Sequence, residues 1–148
     1  MPDIVFEITT RNSNKAEGRL KWQAKGLDTS AVSGPFGNGS LPTGLYTAAR
    51  SKLLDKPNPS SYCDSSGPSN CWMQVLDPTF STSRTDLGIH PDGGTPGTEG
   101  CIGLKDSNTR PWYDAFRSVS GSVSVEVRDA VPTPATGASA SVASVDFN

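Results

Sequence analysis

The chain has 148 residues, 13 Lys and Arg against 15 Asp and Glu, and a formal net charge of -2. That is enough chain for one domain with a buried core, and the near-balanced charge, without a dense Lys/Arg cluster, argues against a nucleic-acid partner. No run of about 18 apolar residues occurs, so no membrane span is expected. Fifteen Gly and twelve Pro break the chain into short segments, which predicts a mainly β fold with many turns.

In chain order, Ile4 to Thr9 alternates apolar and polar residues, and Leu20 to Ala24 does so again after the polar stretch Arg11 to Gly18. This predicts a β-hairpin with one buried face and a loop between the two runs. Ser33 to Gly44, rich in Gly, Pro, Asn and Ser, reads as loop, and Gly44 to Ala48 as the start of a strand. Trp72 to Leu76 is a further strand, expected to end at Asp77-Pro78 because Pro removes a ladder donor. Thr85 to Ile89 is expected to deliver His90 at a strand end. Ser107 is a candidate cap for a helix through Pro111, Trp112, Tyr113 and Phe116, its regular part beginning near Pro111. Val119, Val123, Val125 and Val127 mark a final strand. A single domain over 1–129 is expected. The Ala/Ser/Val-rich segment 130–148 reads as a tail or as a docking segment, self-association being one use for it.

The three cysteines divide unequally. Cys63 and Cys71 flank a polar loop containing Gly67 and Pro68, whose ends can meet in a disulfide if the compartment is oxidising; two reduced thiols are the alternative. Cys101 is then the odd thiol. Three Cys and one His reach the ligand count for zinc, but without the close Cys-x-x-Cys pairs of structural sites, so no metal is expected. Met1 to Glu7 has neither the basic opening nor the apolar core of a secretory signal, which predicts either action where the protein is made or export by another route.

The only histidine, His90, stands eleven residues before Cys101. A Cys/His pair is the minimal apparatus of thiol catalysis: the imidazole takes the thiol proton and the sulfur attacks a carbonyl. An imidazolium near the sulfur would also depress the thiol pKa. Gly100 removes bulk beside the nucleophile, and the backbone N–H groups of Gly100 and Ile102 are candidate oxyanion donors. Against this stands a plain alternative, a buried structural thiol and a turn histidine. Asp86, Asp92 and Glu99 are candidates to orient the imidazole or touch substrate, or are solvated loop carboxylates; Arg84 can grip a substrate carboxylate or sit in a surface ion pair.

Around these residues the chain resembles the L,D-transpeptidase (YkuD-like) family. His90 followed by Thr98-Glu99-Gly100-Cys101-Ile102-Gly103-Leu104 matches its signature, and Ser33-Gly34 through Leu41-Pro42-Thr43-Gly44-Leu45-Tyr46 matches its upstream loop. Trp112 to Phe116 and Val123 to Val127 match its closing helix and strand, so the resemblance spans residues 20–128. It implies a YkuD-like β-sandwich with one or two short helices, the main one after the catalytic Cys. It also implies Cys101 as nucleophile, His90 as base, and Thr98 among the substrate-binding or orienting positions. The thiolate would attack the L,D bond of a peptidoglycan stem peptide and form a thioester resolved by water or by an amine, with no cofactor.

Two positions depart from the family pattern: Glu99 replaces a His and Gly103 an Arg. Those changes remove basic groups and shift the expectation from cross-linking toward trimming. The compact pattern is most similar to toxins delivered by type VI secretion and to small phage-encoded relatives. That resemblance implies manufacture in the cytoplasm, action in the periplasm or wall, and an immunity protein, secretion machine or phage particle as protein partner. A virion or secretion-apparatus protein that binds wall or neighbouring subunits without turnover is the other reading.

Overall fold

The computed structural model describes residues 1–55, 63, 71–93 and 97–130. Strand β1 (Ile4–Asn12) turns Ile4, Phe6 and Ile8 inward and pairs antiparallel with β2 (Lys15–Trp22). The expected hairpin is present, but its loop is only Ser13 and Asn14, not the whole of Arg11 to Gly18. The polar residues extend the ladder, Arg11 opposite Ala16 and Asn12 opposite Lys15, and Ser13 reverses the chain with φ +53°. Polarity there marks an exposed end of the sheet, not a break in it. Gly18 stands where the register shifts between Ile8 and Thr10, and a Cβ on it would overlap the Glu7 carbonyl.

Strand β3 (Leu27–Ser33) was not expected from the pattern, because its last three residues are all buried and show no alternation. There follow β4 (Gly44–Ala49), a 3-10 turn at Arg50–Lys52, β5 (Leu53–Asp55), β6 (Trp72–Val75) and β7 (Asp77–Pro78). Then come β8 (Gly88–Pro91), β9 (Ile102–Leu104), helix α1 (Arg110–Arg117) and β10 (Ser122–Asp129). Asp77-Pro78 does not end the sheet: it makes a two-residue pairing with β4. The ten strands among the described residues join one mixed sheet in the order β5-β6-β8-β9-β3-β2-β1-β10-β4-β7, with β1/β10 and β8/β9 parallel. The sheet curls until Gln74 of β6, fully buried, donates from Nε2 to the Ala49 carbonyl of β4 at 2.9 Å.

Among the described residues the fold is thus mainly β, with one short α-helix, which follows Cys101. That helix starts after Thr109, not Ser107, with Pro111 in its first turn, where a missing N–H costs nothing. It packs Trp112 and Phe116 against Trp22 and Trp72, the rings tilted at centroid distances of 5.1 to 6.3 Å. Two of the three buried indoles in this cluster donate to hydroxyls at 2.9 Å, Trp72 to Thr109 and Trp112 to Thr29. Val119 lies just before β10, whose Val125 and Val127 are buried as the alternation predicted.

Cys63 and Cys71 form a disulfide, with Cys71 immediately before β6. The turn expected at Gly67 and Pro68 and the tail from Val131 on lie outside the described residues, as do 94–96. Among the described residues no helix is long and apolar enough to cross a membrane.

Candidate active site

The parallel pair β8/β9 aligns Ile89 with Ile102 and His90 with Gly103. Ile89 and Ile102 point into the core, both fully buried. Side chains alternate along a strand, so His90 and Cys101, the residues next to them, face the other way. Both open onto one cleft of about 610 Å³, lined also by Phe36, Asn38, Arg84, Asp86, Thr98 and Glu99. Residues eleven apart in sequence open onto the same cleft because β8 and β9 lie side by side and parallel.

Cys101 and His90 are 8% and 5% exposed. Burial pushes the Cys101 thiol up to about 11; the charges of Asp86 and Glu99 act in the same sense, opposed by a hydrogen bond from the Gly88 amide and by the Arg84 charge. The thiol donates to the Asp86 carbonyl at 3.4 Å, presented by a residue in the left-handed region (φ +58°). Burial also pulls His90 down to about 4. The expected imidazolium is therefore not the resting state, because desolvation disfavours both charged forms. His90 Nδ1 lies 2.7 Å from the Pro91 carbonyl, which only accepts, so Nδ1 carries the proton and Nε2 is the basic nitrogen. A neutral imidazole of that tautomer is the form able to accept a thiol proton.

Thr98 is the knot of the site. Its buried hydroxyl accepts the amides of Gly34 (3.0 Å) and Gly100 (3.2 Å) and donates to the Cys101 carbonyl at 2.5 Å. It thus acts on the backbone of the nucleophile. The Gly100 amide, a candidate oxyanion donor in the sequence, is held by this hydroxyl, and its carbonyl accepts from Ser33 Oγ at 3.1 Å. Ile102, the other candidate, is the first residue of β9, paired with Ser33 of β3 on one side and Ile89 of β8 on the other.

Gly100, at φ +136°, is required for a reason the sequence did not show: a Cβ there would overlap Arg84 Nη2. Gly103 is likewise a packing position, since a Cβ would fall 2.9 Å from both Asp92 Cβ and Thr98 Cγ2. Asp92 is half-buried and accepts the Gly97 amide at 3.2 and 3.3 Å. The Pro91 carbonyl, not a carboxylate, holds His90 Nδ1. Glu99 is exposed at the rim, with Gly37 opposite its Cβ.

The loop after β3, which the sequence marked as a loop matching the family's upstream motif, supplies cleft residues that were not singled out there, Phe36 and Asn38. Phe36 stands at its tip, 44% exposed, and its amide donates to the Thr98 carbonyl at 3.0 Å while the Thr98 amide donates to Gly34 at 2.8 Å. A lone large apolar residue within Gly-Pro-Phe-Gly-Asn-Gly was the available signal. The Gly88 amide at the sulfur had none, being backbone. Among the described residues no group of three or more His, Cys, Asp or Glu side chains is arranged to hold a metal ion. No family model matches the chain, and no curated protein or solved structure matches it.

Proposed function

We propose that this chain is a cysteine enzyme that acts on the L,D bond of peptidoglycan stem peptides, as an L,D-carboxypeptidase or a D-amino-acid exchange enzyme. The reading is supported above all by Cys101 and His90 opening together onto one cleft from adjacent parallel strands. In the first step His90 Nε2 takes the thiol proton as the Cys101 sulfur bonds to the scissile carbonyl carbon. The tetrahedral adduct then breaks its C–N bond, the leaving amine takes the proton from His90, and a thioester remains on Cys101. Water, deprotonated by His90, resolves it to a carboxylate and regenerates the thiol; an amine in place of water gives exchange. With both partners neutral at rest, proton transfer accompanies attack.

The choice of substrate rests on the motif resemblance, and the preference for trimming over cross-linking on Glu99 and Gly103. The same resemblance supports delivery to the wall by a secretion machine or phage particle. The test is release of D-Ala from a synthetic tetrapeptide stem by the purified chain. We expect Cys101→Ala to abolish it and His90→Ala to lower the rate ~10²-fold or more. Undiminished release by Cys101→Ala overturns the assignment. Binding of peptidoglycan without any turnover by the native chain favours a wall-binding protein instead.

A further inference from the structure

Arg84 forms part of the cleft wall, half-buried, with Nη1 donating to the Ser40 carbonyl and Nη2 to the Gly39 carbonyl, both at 3.0 Å. These acceptors are neutral. A guanidinium has five N–H donors, and among the described residues no carboxylate lies within ion-pair distance of this one. The two acidic residues in the cleft lining, Asp86 and Glu99, leave it without a counter-charge.

Its position is fixed from two sides. The loop carbonyls hold the fork, and Gly100 is bare where the fork packs against the chain. Arg84 therefore packs against Gly100, the residue before the nucleophile, and its charge acts on the Cys101 thiol in the lowering sense. That adjacency has a chemical meaning. When a peptide loses only its last residue, the terminal carboxylate lies within one residue of the scissile bond, ~3.5 Å of chain. A cation recognising that carboxylate has to sit beside the nucleophile.

We propose that Arg84 binds the terminal carboxylate of the peptide whose last bond Cys101 attacks, which makes the site specific for free chain ends. The proposal rests on the cysteine-enzyme reading above. Its test compares a tetrapeptide stem bearing a free C-terminal carboxylate with its C-terminal amide, using the full chain. The native protein is expected to prefer the acid ~10-fold or more in kcat/KM. Arg84→Ala should lose that preference, mainly through KM on the acid, whose kcat/KM falls ~10-fold or more beyond whatever loss the acid shares with the amide. Equal losses on both substrates would assign Arg84 to holding the loop alone and overturn the proposal, as would equal turnover of acid and amide by the native chain. Titration of the same peptides onto Cys101→Ala protein separates the two readings. If the native chain turns over neither peptide, the enzyme reading fails, while acid-selective binding lost in the Arg84→Ala, Cys101→Ala double variant still upholds the carboxylate site. Equal affinity for acid and amide overturns it.

Discussion

The Thr98 hydroxyl donates to the backbone carbonyl of Cys101 while accepting two amides, so a single side chain holds the nucleophile's backbone against the loop that follows β3. Thr98→Val keeps the shape and removes every one of these bonds. Two amides and a carbonyl lose a buried partner, which is expected to cost ~2–4 kcal/mol. Urea unfolding should show the loss, with Thr98→Ser retaining most of the stability. Equal midpoints for Val and native protein would contradict the role given to the hydroxyl.

His90 sets a pH window. Unfolded, its imidazole takes up a proton near 6.5; folded, only near 4. Between those values the unfolded state binds the extra proton, so stability is complete above about 6.5 and falls as pH drops toward 4. From this residue alone the expected loss at pH 4.5 is ~2–3 kcal/mol. Measured as the change in urea midpoint between pH 7 and 4.5, the fall should be smaller in His90→Gln. An identical fall in both proteins would mean that other groups carry it.

The disulfide closes a short loop, Cys63 and Cys71 being eight residues apart. A cross-link of that span is expected to contribute ~2.5 kcal/mol by restricting the unfolded chain. Reductant should lower the thermal midpoint of the native protein and leave that of the Cys63→Ser, Cys71→Ser double variant unmoved. Insensitivity of the native protein to reductant would deny the bond a stabilising role.

Much of this architecture is legible in the sequence where side chains report a periodic environment. Ile4, Phe6 and Ile8 announce β1, Val125 and Val127 announce β10, and Pro111 with its aromatic neighbours announces α1. β3 is not legible, because a strand packed on both faces loses the alternation that identifies strands. Nor was the true extent of the hairpin, since Arg11 and Lys15 continue a ladder through backbone groups their side chains do not describe. At the site, His90 and Cys101 were visible as residue types. The Gly88 amide, the Pro91 carbonyl and the space that Gly100 leaves for Arg84 are properties of backbone and contact. Burial has the same origin, and it reversed the expected charge state of the pair.

The ten-stranded sheet ends on β5 and β7, strands of three and two residues. A wide sheet ordinarily offers a neighbouring molecule a long row of unpaired amides and carbonyls on which to add a strand. Among the described residues the two terminal strands offer rows hardly longer than a turn. The sheet is broad where it frames the cleft and tapers to these short ends, β7 pairing with only Tyr46 and Thr47 of the six residues of β4.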